Sequence, residues 1–211
     1  MGCSSGGKLP EVTPDEGPPT DIDPTQLRLP FLVDDHYVPN GCFGDGNCPG
    51  DVINIDSRGC GERPATVQGI CRVYTYLPLA KGTPGWQGYL GILFQDVGPN
   101  GESEIGRVPG LPVQAGAQRC VFWARVGSGS VEVGFRSGGA NNWNGVIDPK
   151  LPYKDDFGVP AKVTLTPIYQ QISIDLTQVS YEDVVSPFGW SIESNGSTDP
   201  VSLYIADVRW E

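Results

Sequence analysis

The chain has 211 residues, a formal net charge of −11, 29 glycines, 20 prolines and a single histidine. So acidic a balance lacks the basic footprint that a phosphate backbone requires, which excludes nucleic-acid binding; the charge is spread along the chain and reads as solubility. Glycine and proline at this level favour short strands and many turns. No window carries an i, i+3, i+4, i+7 apolar stripe, and no run approaches the roughly eighteen apolar residues of a spanning helix.

Residues 1–28 are polar and rich in Pro, Asp, Thr and Glu, a composition that cannot bury enough surface to order itself, so they are expected to form a disordered tether. Within it, Gly2-Cys3-Ser4-Ser5 resembles the site at which bacterial lipoprotein precursors are cut and lipidated on cysteine, which makes Cys3 a candidate lipidation site. The alternative is a native start that happens to contain Gly-Cys. Myristoylation fits poorly, because residue 6 is Gly instead of Ser or Thr.

Residues 29–211 read as one domain. The first strand is expected at Pro30–Tyr37, followed by a Gly/Asp/Asn-rich loop over Asn40–Gly50 and a strand at Val52–Ile55. Cys71–Leu77 alternates cleanly. Trp86–Gln95 follows a Gly-Thr-Pro-Gly turn, and Cys120–Val126 and Val131–Arg136 are joined by Gly127-Ser-Gly-Ser. Four closing runs follow, at Val163–Thr166, Gln171–Leu176, Phe188–Ile192 and Val201–Glu211. In them Ile172, Ile174 and Leu176 share a face, as do Phe188, Trp190 and Ile192, and Leu203, Ile205 and Asp207. A side-chain period of two across roughly nine to ten runs predicts an all-β fold, a two-sheet antiparallel β-sandwich of jelly-roll type.

The six cysteines, at 3, 42, 48, 60, 71 and 120, fit an oxidising compartment. With no Cys-x-x-Cys and only His36, a zinc site of the usual kind is not expected. If Cys3 carries lipid, two disulfides and one free thiol follow. Spacing does not fix the pairing; a bridge within the 42–60 region is preferred, stapling long loops onto the sandwich.

Several stretches together resemble the jelly-roll carbohydrate-binding modules. PFLVDD at Pro30–Asp35 is similar to their opening, GWQGYLGILFQ at Gly85–Gln95 to their GWAGVxFQ strand, and CVFWARVGSGSVEVGF at Cys120–Phe135 to a hairpin of theirs. The closing strands are similar to their ITLTxxWQxYTIDLS…GFGWxI…FYIDDIxW ending. The resemblance covers about 180 residues and implies the sandwich fold, an oligo- or polysaccharide partner and a structural Ca2+ between the first and last strands. For that metal it points to Asp207 in the closing strand and to Asp34 and Asp35 in the opening run. Tyr37 stands where the family usually has Glu, and Asp45 in Gly44-Asp-Gly-Asn47 is a further candidate. On the otherwise apolar face of Leu203 and Ile205, an Asp207 carboxylate is costly unless paired or metal-bound; the alternative is bonding to backbone amides.

Sugars are held by aromatic faces flanked by a few fixed polar groups. Trp143 and Asn142, in the polar loop Gly138–Gly145, are the foremost candidates, with Tyr153 as a second loop aromatic. Trp86 is either a rim contact or, by slight preference, a core plug. Arg136 projects away from the face of Val131, Val133 and Phe135, and contacts ligand if its own face forms the site. Trp190 is expected in the core and Trp210 near the termini.

Catalysis is not expected. Glycoside hydrolysis takes a pair of carboxylates across the scissile bond, and no Glu-x-Asp-x-(x)-Glu run is present. Glu102 and Glu104 sit in a turn, and no Gly-x-Ser-x-Gly accompanies His36. The combined expectation is a non-catalytic, monomeric saccharide-binding sandwich of an exported or surface-tethered bacterial-type lipoprotein. The rivals are a protein-interaction sandwich without a sugar ligand and a polysaccharide lyase or hydrolase.

Overall fold

The computed structural model describes residues 25–47, 53–56, 60, 63–64, 66–67, 69–96, 106–141 and 149–211. The strands, in chain order, are β1 (Phe31–Leu32), β2 (Val38–Gly44), β3 (Ile53–Asp56), β4 (Cys71–Tyr76), β5 (Tyr89–Gln95), β6 (Leu111–Pro112) and β7 (Arg119–Val126). They continue with β8 (Val131–Gly138), β9 (Gly158–Leu165), β10 (Gln170–Asp175), β11 (Asp183–Val184), β12 (Phe188–Glu193) and β13 (Val201–Trp210). Among the described residues the only helical turns are two 3-10 turns, at Val33–Asp35 and Asp45–Asn47.

Two antiparallel sheets form the sandwich. One runs β10-β7-β13-β4-β3, with β1 on β13; the other runs β2-β5-β12-β8-β9, and β11-β6 makes a small ribbon. Alternation decides what lies between the sheets. Phe122 of β7 meets Phe135 of β8 at 4.7 Å and Phe188 of β12 at 4.8 Å between ring centroids, and Tyr74 meets Trp190 edge-on at 4.8 Å. These rings are buried. Each such side chain contributes on the order of 2–3 kcal/mol of transfer free energy, which commits every strand to one register. Trp210 closes one end. It packs against Phe31, Phe157 and Tyr181, and its indole N–H donates to the Pro187 carbonyl at 3.1 Å.

The predicted sandwich is present, with several differences. The expected opening strand is only two residues long before it turns into a 3-10 turn. Much of the expected Asn40–Gly50 loop is strand, since β2 runs to Gly44 along the edge of the second sheet. An edge position tolerates Pro39, which is why turn-forming residues there do not make a loop. Contacts also begin before residue 29: Leu27 bridges Val113 and its N–H donates to Pro112. Finally, β13 carries a register shift between Ala206 and Arg209, where Asp207 takes a left-handed φ of 55°. The parity that placed Asp207 with Leu203 and Ile205 breaks at this bulge, and Val208 and Trp210 resume the core beyond it.

Cys60 is bonded to Cys71, outside the preferred 42–60 region. Cys42 is disulfide-bonded too, and Cys120 is a free, buried thiol that burial pushes well above its ordinary pKa.

Candidate functional site

On the second sheet, the side chains opposite the core build a trench. Registers across the strands align one row, Phe43–Gly91–Ser191–Gly134–Lys162, and beside it Gly41–Leu93–Gly189–Arg136–Pro160. Gly91 and Gly189 leave room for larger neighbours to lie across the sheet. The Phe43 ring lies directly on Gly91 and the Leu93 side chain on Gly189, positions where a Cβ would collide with them. The result is a cavity of about 750 Å³, within the range of small-molecule sites.

Phe43, Trp86 and Tyr89 supply its aromatic surface. The Phe43 and Tyr89 rings tilt at 52° with centroids 6.2 Å apart. Gln87, Asn141, Ser191, Glu193 and Asn195 supply polar groups, and the Tyr89 hydroxyl donates to Gln87 Oε1 at 3.0 Å. Glu193 is the only carboxylate among the described lining residues.

The rim is fixed by Asp45. This buried carboxylate accepts the Gln87 and Gly88 N–H groups on Oδ1, at 2.6 and 2.8 Å. On Oδ2 it accepts the Tyr76 hydroxyl at 2.6 Å and the Leu79 N–H at 3.2 Å. Burial alone would raise its pKa; the Tyr76 hydroxyl and the three amides outweigh that and hold it below the ordinary value of 3.8. The loop carrying Trp86 is thereby set, and Ser194 N–H donating to the Gly88 carbonyl at 2.8 Å ties it to the turn after β12.

Trp86 is half-buried on this rim with Lys81 Nζ 5.8 Å from its ring, so it is not the expected core plug. Trp190 is core, as its parity implied. Arg136 does lie on the trench-side face, but it is folded down: its Nε donates to the Gly138 carbonyl at 2.9 Å and its guanidinium lies against Gly139 and Gly158. It supports the wall from beneath and does not line the cavity. Tyr153 is exposed, two residues beyond the lining residue Leu151. Asn142 and Trp143 lie outside the described residues, as does Cys3. Sequence reading passed over Phe43, Tyr89, Ser191 and Glu193. The last three were within reach, since each alternates with a residue whose apolar neighbours mark the core face.

The expected calcium ligands do not gather. Calcium takes six to eight oxygens. Asp34 is engaged by Arg72, Nε to Oδ1 at 2.7 Å, and Arg209 Nη2 stands 3.4 Å from Asp207 Oδ2, so guanidinium groups face both carboxylates. Asp35 is exposed. Both Asp45 oxygens serve the rim. Among the described residues no group of three or more His, Cys, Asp or Glu is placed to hold a metal ion.

No protein-family profile and no curated protein matches the chain. Among solved structures it is similar to a family 30 carbohydrate-binding module, with TM-score 0.48 and 15% identity over 87% of this chain and 98% of that one. A family 11 carbohydrate-binding module from Clostridium thermocellum, in complex with a β-1,3-1,4-mixed-linked tetrasaccharide, matches with TM-score 0.45 and 11% identity over 83% and 94%. The agarase AgWH50C matches with TM-score 0.46 and 11% identity, over 86% of this chain but 25% of its own. Identities this low leave the reading of the site to its own geometry.

Proposed function

We propose that the domain binds an oligo- or polysaccharide in the trench of its second sheet, without catalysing a reaction on it. The observation that carries this is the cavity whose aromatic surface is made by Phe43, Trp86 and Tyr89. Aromatic faces pack on the C–H surfaces of a flat sugar ring. Gln87, Asn141, Ser191 and Asn195 offer neutral donors and acceptors to hydroxyls, and Glu193 offers a carboxylate that accepts from them. Among the described lining residues Glu193 is the one carboxylate, which supports binding over glycoside hydrolysis, a reaction that takes two.

The disulfide at Cys60–Cys71 supports an oxidising compartment and so an exported chain; a tether through Cys3 and a monomeric state complete the proposed reading. The test is capture of the chain on insoluble and soluble polysaccharides, mixed-linked β-glucan, galactan and agarose among them, with calcium and then with chelator. Saturable binding is expected. Trp86→Ala should weaken it at least tenfold, about 1.4 kcal/mol, while leaving the melting transition in place, because Trp86 sits on the rim. Folded protein that binds nothing across the panel would favour the protein-interaction reading.

A further inference from the structure

The outward face of the first sheet gathers rings around one cation. On β7, Trp123 and Arg125 alternate with the buried Phe122, Ala124 and Val126, so they stand away from the core. Register sets Tyr204 of β13 beside Arg125, and Gln171 of β10 beside Trp123. The Arg125 guanidinium lies 3.6 Å from the centroid of the Tyr204 ring and 5.2 Å from that of Tyr169. Its Nη1 donates to the Val126 carbonyl at 3.4 Å and its Nη2 to that of Cys60 at 3.3 Å, both longer than an ordinary N–H···O bond. The Tyr169 hydroxyl donates to Cys71 Sγ at 3.4 Å, so the disulfide braces the cluster. Trp123, Arg125, Tyr169 and Tyr204 are half-buried and Gln171 is exposed, which leaves part of each in solvent.

Charge singles out Arg125 among the four arginines on the strands of this sheet. Arg72 pairs with Asp34 at 2.7 Å, Arg119 with Glu211 at 2.6 Å, and Arg209 stands 3.4 Å from Asp207. Arg125 has no carboxylate partner among the described residues, although acids outnumber bases 25 to 14 in the chain. A guanidinium held by two rings and two carbonyls, and left unneutralised, is preorganised for an anion. Its ordering is complete in the free protein, and its planar fork matches a carboxylate. We propose that this face is a second binding surface, which takes a carboxylate of a uronate polysaccharide on Arg125 and the adjoining sugar rings on Trp123 and Tyr169. An acidic peptide would engage the guanidinium alone. A uronate carries its carboxylate on the same ring whose C–H face packs on an aromatic, and so uses both the cation and its neighbours. Gln171 and Ser173, exposed on β10, supply neutral groups for hydroxyls. The trench lies on the other sheet, so this proposal does not rest on it.

The test is titration of the full chain with polygalacturonate at about 0.15 M salt, where the Debye length of about 8 Å lets the local cation, and not the net charge, govern contact. Saturable binding is expected. Methyl-esterifying the probe removes its charge but keeps its sugar backbone, and should weaken binding at least tenfold. Arg125→Gln should do the same. Arg125→Lys should recover only part of the loss, because it keeps the charge without the fork or the flat stacking surface. Gln171→Glu, at an exposed position of an edge strand, sets a like charge beside the site and should weaken binding several-fold; it decides alone if Arg125→Gln does not fold. No binding by the folded wild type, equal binding of the methyl ester, or an affinity unchanged in both Arg125→Gln and Gln171→Glu would overturn the proposal. Polyglutamate bound as tightly as polygalacturonate would also overturn it, and assign the surface to acidic peptides. Capture on mixed-linked β-glucan reads the trench separately. Trp86→Ala should weaken that capture and leave polygalacturonate affinity at the wild-type level, and Arg125→Gln should do the reverse. Loss of β-glucan capture alone would count against the trench and leave this second surface standing.

Discussion

Asp45 and Asp155 are both buried carboxylates at the margins of one cavity, and their environments drive them in opposite directions. Four donors converge on Asp45 and outweigh its burial; three amides and a guanidinium do not outweigh burial at Asp155. Asp45→Ala leaves three N–H groups and the Tyr76 hydroxyl facing an empty site, and should cost roughly 2–4 kcal/mol in urea unfolding at neutral pH. The sign for pH follows from the depressed folded-state pKa. The Asp45 contribution is present above the unfolded value of 3.8 and is lost as pH falls below it, so the gap between wild type and variant should narrow on acidification through about pH 3. An unchanged gap would mean that the carboxylate charge is not what holds the loop. The sequence could nominate Asp45, since an Asp-Gly in a polar loop is conspicuous, but not its task. Its four donors lie 31 to 43 positions away along the chain, and only the fold brings them to one point.

Among the elements, β5 and β12 were legible because their apolar residues alternate without interruption, and the same alternation exposes Tyr89, Gly91, Ser191 and Glu193 on the other face. Strand β2 was not, because Pro39, Asn40 and Gly41 have turn chemistry and its pairing with β5 depends on an irregular register between Val38 and Gly41. The bulge at Asp207 was hidden for the same kind of reason: parity is local, whereas a register shift answers to the partner strand. The trench therefore depends on a pairing that sequence pattern leaves open, that of Phe43 with Gly91. Gly91→Ala tests it. The new Cβ meets the far end of the Phe43 ring, which can swing away, so the fold should survive with its melting temperature within a few degrees. The displaced ring should lower polysaccharide affinity several-fold in the capture assay. Wild-type affinity would show that Phe43 is not part of the binding surface.

At the scale of the whole molecule, the two outward faces of the sandwich carry separate burdens. The second sheet presents the trench; the first carries the Cys60–Cys71 disulfide. Cys71 lies on the side of β4 away from buried Tyr74 and Tyr76, and its bridge to Cys60 brings Val67 against Ala206, with Trp123, Tyr169 and Tyr204 packed around them. Arg125 stacks over the Tyr204 ring at 3.6 Å and lies 5.2 Å from that of Tyr169. This is a second, smaller apolar cluster that the 60–71 segment completes, and a bridge spanning 11 positions closes a short loop worth about 2–3 kcal/mol in the chain-entropy account. The sequence showed that cysteines would staple loops to strands, yet not that Cys60 reaches forward to Cys71, since that pairing depends on which face of β4 the cysteine takes. Replacing both, Cys60→Ser with Cys71→Ser, should lower the unfolding free energy by about that 2–3 kcal/mol in urea at 25 °C. Because the trench is built on the opposite sheet, polysaccharide capture by the folded double variant should match the wild type. Loss of capture under conditions where the variant remains folded would show that the faces are mechanically coupled through the shared core of Phe122, Phe135 and Phe188, and that the trench owes its shape to both sheets.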